Sequence, residues 1–261
     1  MITKIIESYC TQILKISHCF SSQRQIHSNV IRYSSRADFR MAPNVFHKRL
    51  VKIYTAVVED VFNASSTIKI LRLYIKEAGF SFKAGQWVDF YVPGIQEVTG
   101  YSMTSPPNEA KEKGILELAV KYGTFPPTHW VHNSCSPGGE VQIRVGGDFY
   151  YDPLANKKEA EANLLLIGGG VACFSRYFAD IEREHPTLTC QYFVTRQPKT
   201  GPSPGIHYSR IEEKNVGDSI KTLGKKTLCY VCGPSTMTDD VANMLLKIGI
   251  EKEYIRYEKW W

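Results

Sequence analysis

Tyr230-Val231-Cys232-Gly233-Pro234-Ser235-Thr236-Met237 is an apolar run that stops at Gly-Pro and passes into a segment able to form a helix. Upstream, Leu164-Leu165-Leu166-Ile167-Gly168-Gly169-Gly170 follows the same grammar. A strand that ends in glycine and feeds a helix is how a parallel sheet offers backbone amides to a phosphate or a nicotinamide. The two stretches together predict a dinucleotide site. In such a sheet the crevice lies at the carboxyl ends of the strands, so Gly168, Gly169 and Gly170 would let the backbone approach a pyrophosphate with no side chain between. A glycine cluster after a strand fits an ordinary tight turn equally well, because the full Gly-x-Gly-x-x-Gly fingerprint is missing. For the acidic residue that meets a ribose, Glu182 and Glu184 lie in range.

Around these motifs, apolar strands at 164–167, 188–195, 227–231 and 254–259 alternate with helical patterns at about 174–184, 211–223 and 235–248. That alternation predicts a parallel sheet covered on both faces. Residues 48–150 read differently. Short strands at 51–61, 67–75, 86–92, 115–122 and 140–145 are punctuated by Gly79, Gly85, Pro93-Gly94, Pro106-Pro107, Pro126-Pro127 and Pro137-Gly138-Gly139. Strands so divided predict an antiparallel barrel or sandwich. A polar linker, 152–163, separates the two patterns. The expected organisation is a leader at 1–40, a β-barrel at 46–155 and an α/β nucleotide-binding domain at 160–261.

A chain of 261 residues, 43% hydrophobic, suits two domains of ordinary size. No apolar run approaches the roughly 18 residues a membrane helix needs, so no membrane span is expected. The net charge of +6 hints at nucleic acid until it is located. Within the first 36 residues Lys4, Lys15, Arg24, Arg32 and Arg36 face only Glu7, a net +4 that leaves +2 for the rest. No basic face with interleaved aromatics survives, and no nucleic-acid partner is expected. The leader is serine-rich and spaces Ile2, Ile5, Ile6, Tyr9, Ile13 and Ile16 close to a helical period. It resembles a mitochondrial transit peptide, the alternative being a disordered tail. Glu7, Gln12 and Lys15 interrupt the apolar core of about 7–15 residues that a secretory signal needs.

Seven scattered cysteines do not form a disulfide framework. The close pair Cys229 and Cys232 belongs to a strand, where positions three apart point to opposite faces, so neither a redox dithiol nor a metal site is expected. Spacing for an iron–sulfur cluster is absent.

Tyr-x-Cys-Gly-Pro-x-x-Met at 230–237, the glycine turn that opens the same domain and the preceding barrel resemble the ferredoxin–NADP reductase superfamily. The resemblance runs from about residue 48 to the C-terminus, and Trp130-Val131-His132-Asn133, Val145-Gly146-Gly147-Asp148-Phe149 and Glu258-Lys259-Trp260-Trp261 narrow it to one branch. It implies a flavin, FAD or FMN with FAD the expectation, on a riboflavin-synthase-like barrel, and NAD(H) or NADP(H) on the α/β domain. The signature Arg-x-Tyr-Ser/Thr corresponds to Thr99-Gly100-Tyr101-Ser102. Tyr101 would stack on the isoalloxazine and Ser102 would bond its reactive edge. Thr99 stands where the family's arginine meets the flavin phosphate. Losing a charge-assisted contact of about 1.5–3 kcal/mol weakens affinity by about one to two decades. A short helix around Thr128-His129-Trp130 would meet the pyrophosphate.

The reaction so implied is hydride transfer from nicotinamide C4 to flavin N5, with Cys232 beside the nicotinamide and Ser102 beside N5. Val171, Ala172, Cys232, Gly233, Pro234 and Met237 would complete the nucleotide site, and Trp261 would cover the flavin ring or simply pack a chain end on the sheet. Arg196 could meet a 2′-phosphate, which leaves NAD and NADP open. After Gly170-Val171-Ala172 the chain passes into Cys173–Glu182, which resembles the family's second helix, so one helix and one strand are missing and a sheet of four strands is expected instead of five. Two functions compete: an NAD(P)H-dependent flavin oxidoreductase with a small-molecule or protein acceptor, and a non-catalytic module of the same shape.

Overall fold

A computed structural model describes residues 52–153, 155–169, 183, 189–193 and 206–260. The leader, Gly170, Val171, Ala172, Glu182, Glu184, Arg196 and Trp261 lie outside the described residues, as does the helix read at 174–184 apart from Arg183.

Six antiparallel strands build the first unit: β1 (Tyr54–Asn63), β2 (Ile68–Ile75), β3 (Trp87–Tyr91), β4 (Thr99–Ser102), β5 (Ile115–Lys121) and β6 (Glu140–Gly146). They pair in the order β4-β3-β6-β1-β2-β5. The two outer strands meet, because Met103 bridges to Leu118 and the Thr104 amide donates to the Glu117 carbonyl at 2.7 Å. The sheet therefore closes into the expected barrel, and closure removes the exposed edges that antiparallel sheets must otherwise protect. Alternation chooses the inner face: Ala56 and Val58, Leu71 and Leu73, Val88 and Phe90, Leu116 and Leu118, and Ile143 and Val145 are all buried in one cluster. Each fully buried side chain of that size contributes about 1.5–3 kcal/mol, which is what fixes the register.

Two short helices interrupt the strand sequence, α1 (Pro107–Lys113) and α2 (Pro126–Asn133). The sequence reading took both proline pairs as breaks; of the two helices, the resemblance had implied only the one around Thr128, which is α2. Proline at the first helical position lacks an N–H that would be unpaired there anyway, so the same residues start helices. At the far end of α1, Gly114 adopts φ 70°, and an added Cβ would lie 2.7 Å from the Ile75 carbonyl oxygen. No other residue type suits that exit.

A third short helix, α3 (Lys157–Glu161), leads into β7 (Leu164–Gly168). Two-residue strands β8 (Tyr192–Phe193) and β9 (Ile206–His207) follow, then α4 (Glu213–Leu223), β10 (Leu228–Pro234), α5 (Ser235–Ile248), a 3₁₀ turn (Lys252–Tyr254) and β11 (Ile255–Trp260). Strands β7, β10 and β11 are parallel, with β10 central. Among the described residues the sheet has three strands, and the strand read at 188–195 lies outside the described residues apart from 189–193. Tyr192 and Phe193 pair in parallel with Ile206 and His207 in a separate ladder, so the described part of that strand finds its partner outside the main sheet.

Leu228 to Cys232 are all buried, and parity divides them. Cys229 and Val231 pack with Val216 and Ile220 of α4 and Val241, Ala242 and Leu245 of α5. Leu228, Tyr230 and Cys232 pack with Ala84, Phe149 and Tyr151 of the barrel unit. Among the described residues, helices thus cover one face of the sheet and Ala84, Phe149 and Tyr151 of the barrel unit pack on the other. No described helix is long and apolar enough to cross a membrane.

Candidate functional site

The tips of β7 and β10 lie side by side, with Cys232 opposite Gly168 and the Gly169 amide donating to the Cys232 carbonyl at 2.8 Å. A Cβ on Gly169 would fall 2.8 Å from Pro234 Cδ, 3.2 Å from Met237 Sδ and 3.3 Å from Gly233 Cα. One on Gly233 would fall 3.3 Å from the Gly169 nitrogen and onto the Met237 methyl. The two glycines therefore serve each other: they let two backbones touch while Pro234 and Met237 seal the contact. Helix α5 begins immediately after, with no side-chain cap and no acidic residue in its first turn. Among the described residues no side chain caps its first amides, so the turn of Gly168, Gly169, Gly233, Pro234 and Met237 stands beside a helix N-terminus that could hold a pyrophosphate.

Cys232 departs from the sequence reading. The resemblance placed it beside the nicotinamide, but its side chain is fully buried. Even-numbered positions of β10 face the barrel, so the thiol packs in the seam with Tyr230, Phe149 and Tyr151. Cys229 faces the helices, and burial pushes its thiol up to about 12. The two sulfurs sit on opposite faces, as strand geometry requires. Among the described residues no group of three or more His, Cys, Asp or Glu side chains is placed to hold a metal.

On the barrel, Tyr101 is buried, packs edge-on against Phe90 with ring centroids 5.2 Å apart, and shares a hydrogen bond of 2.9 Å between its Oη and Thr128 Oγ1. Thr128 lies in the first turn of α2 and is fully buried. The structure therefore joins two residues read from separate motifs. Ser102 is buried at the end of β4, and Thr99 faces Phe90 across the ladder. Thr104, just beyond, keeps a buried hydroxyl with no hydrogen-bond partner. These hydroxyls fit the neutral polar edge and polyol of a flavin. Thr99 supplies no cation for its phosphate.

Tyr101 and Cys232 belong to different packed clusters. The strand ladder connects them. Ser102, Trp87 and Gly146 form one row across β4, β3 and β6. From Gly146 the chain runs directly to Phe149 and Tyr151, the barrel's side of the seam that holds Cys232. The barrel end that carries Ser102 is thus the end that meets β10. Trp87, which the sequence reading passed over, spans that row. A Cβ on Gly146 would lie 2.9 Å from its ring and one on Gly147, at φ 99°, 2.8 Å from its Nε1. Gly146-Gly147, quoted earlier only as a motif, is the space left for that indole.

No protein-family model matches the chain. An oxidoreductase NAD-binding domain-containing protein 1 from Xenopus tropicalis is 34% identical over 264 residues, covering 84% of this chain and 82% of that protein. Among solved structures, a cytochrome P450 reductase of Amycolatopsis aligns with TM-score 0.63 at 22% identity, over 85% of this chain and 73% of that one. A ferredoxin NADP+ reductase of Neisseria gonorrhoeae with bound FAD and NADP aligns with TM-score 0.57 at 16% identity, over 81% of this chain and all (100%) of the other. The likeness to both structures is one of fold: an antiparallel barrel followed by a parallel-sheet α/β unit.

Proposed function

The chain belongs to the oxidoreductase NAD-binding domain-containing protein 1 family, and from that premise we propose that it is an NAD(P)H-dependent flavin oxidoreductase. A bound nicotinamide would supply a hydride and a bound flavin, FAD by the resemblance, would take it up and pass electrons to a small-molecule or protein acceptor. The observation that carries this reading is the seam in which Phe149 and Tyr151, shortly after the Gly146 row that includes Ser102, pack with Tyr230 and Cys232 of the strand whose tip bears Gly233.

The residues have separate tasks. Gly168, Gly169 and the first amides of α5 hold the nucleotide phosphates, with Met237 closing the turn. Tyr101 and Thr128 shape the flavin's seat, and Ser102 donates or accepts a hydrogen bond at its reactive edge. Cys232, buried behind the turn, packs it against the barrel and excludes water. The basic, serine-rich leader supports a mitochondrial site of action.

Purified protein tests the proposal directly. The expected result is a yellow protein with flavin bound at a ratio approaching one, bleached by NADH or NADPH under anaerobic conditions. Protein reconstituted with FAD and with FMN that retains neither, and shows no bleaching, refutes it. Thr99 is the observation that favours the second reading, a non-catalytic module, because the site then lacks the charge that would fix a flavin phosphate. That reading predicts colourless protein.

A further inference from the structure

We propose that Arg256 is a positioning residue for this hydride transfer, holding the tip of β10 at a fixed angle to the barrel; the inference rests on the reading above. Arg256 stands beside Tyr230 in the β10–β11 ladder. Its Nη2 reaches Glu159 Oε1 of α3 at 2.6 Å. Its Nη1 donates to the Tyr230 hydroxyl at 3.0 Å and to the Tyr150 carbonyl at 3.3 Å. Tyr230 Oη also donates to the Tyr150 carbonyl, at 3.1 Å. One guanidinium thus ties together the barrel's exit segment, the linker helix and the central strand.

The carboxylate at the centre of this tie is 3% exposed. Glu159 accepts the Asp152 amide at 2.6 Å on Oε2 and Asn156 Nδ2 at 3.0 Å on Oε1. Asp152 in turn pairs with Lys83 at 2.5 Å, and the Lys83 ammonium lies 4.5 Å from the Tyr150 ring centroid. A buried charge needs such partners, and removing one leaves the others poorly satisfied. Ala84, Phe149 and Tyr151 supply the apolar part of the seam. Apolar burial holds two surfaces together without fixing their angle, whereas charge-assisted bonds to a planar guanidinium are directional.

The placement connects this clasp to the chemistry. Along β10, Tyr230 precedes the Cys232-Gly233 turn by one pleat; along the barrel exit, Tyr150 follows the Gly146 row that includes Ser102. A shift of Tyr230 against Tyr150 is therefore passed to the distance between nicotinamide and flavin. Hydride transfer is steep in that distance, and a displacement of about 1 Å costs up to about 100-fold.

The test uses the full chain loaded with flavin. In stopped-flow bleaching at saturating NADH, Arg256→Gln should fall at least about 10-fold while flavin stoichiometry and the NADH dissociation constant change less than about two-fold. Arg256→Lys should recover part of the rate. Wild-type protein that bleaches while Arg256→Gln bleaches equally fast overturns this inference alone; wild-type protein that does not bleach overturns the proposed function with it. Should Arg256→Gln fail to fold, Tyr230→Phe decides, since it keeps the ring in the seam and removes only the hydroxyl. Slower bleaching with intact flavin supports the positioning role, and an unchanged rate rejects it.

Discussion

Replacing Gly169 by alanine probes the contact on which the nucleotide turn is built. The added methyl would lie 2.8 Å from Pro234 Cδ and 3.2 Å from Met237 Sδ. Carbon atoms prefer separations of about 3.5–4.0 Å, so the tips of β7 and β10 must move apart by several tenths of an ångström. Met237 can swing aside. Pro234 cannot, since its ring is rigid and the chain on either side is held: Thr238 Oγ1 donates to the Gly233 carbonyl at 3.2 Å, and Pro234 stands in the ladder opposite Trp260. Overpacking of this kind costs about 1–3 kcal/mol, and each kcal/mol lowers the melting temperature of a chain this size by about 2–4 °C. Gly233→Ala meets mainly the end of the flexible Met237 side chain, so its cost should lie at the low end of that range. Thermal unfolding followed by circular dichroism reads both, and NADH titration reads the loss of the turn. A Gly169→Ala protein that melts with the wild type, or one less damaged than Gly233→Ala, refutes the argument that backbone contact selects these glycines.

Tyr101→Phe should destabilise by about 1–3 kcal/mol because it strands the buried Thr128 hydroxyl, and adding Thr128→Val should restore much of the loss. Urea midpoints of the single and double variants check this, and a double variant as unstable as the sum of the singles counts against it. Burial pushes Cys135 up to about 11 and Cys229 up to about 12, with Lys69 opposing the shift at Cys135. At pH 8 fewer than about one in a thousand of either thiol is ionised, so iodoacetamide should label neither until the protein is unfolded. The same shifts set a pH trend. Both groups are raised in the folded state, so their contribution is complete below the ordinary thiol range and is lost as pH climbs toward about 11 and about 12. A urea midpoint at pH 10.5 equal to that at pH 8 contradicts it.

Much of the fold was legible because it depends on apolar periodicity. The strands at 67–75, 115–122 and 140–145 differ from the observed ones by a residue or so at their ends, and β10 gives way to α5 directly after Gly-Pro. What escaped had competing local signals. Thr99–Ser102 is four residues long and contains a glycine, too short for an alternating pattern to register, yet it is the strand that bears Tyr101 and Ser102. Helix α1 was hidden by its own starting proline, whereas α2 was reached only through the resemblance, at Thr128. In the site, the glycines were found by type and position and Met237 through the family resemblance, but their mutual contact is a tertiary fact. Trp87 could have been found: two adjacent glycines at 146 and 147, in a strand otherwise free of them, signal that something large lies against the backbone. The fate of Cys232 followed from counting along β10, and only the identity of the surface on its far side was missing.

That count has a further consequence. Because β10 is a party wall, substitutions along it fall into two heritable kinds: those at 229 and 231 disturb how the helices lie, and those at 228, 230 and 232 disturb how the two halves are joined. Neither half can be cut away cleanly. A barrel ended before β7 would leave Phe149 and Tyr151 wet, and an excised α/β half would bare Tyr230, so each is the other's missing roof.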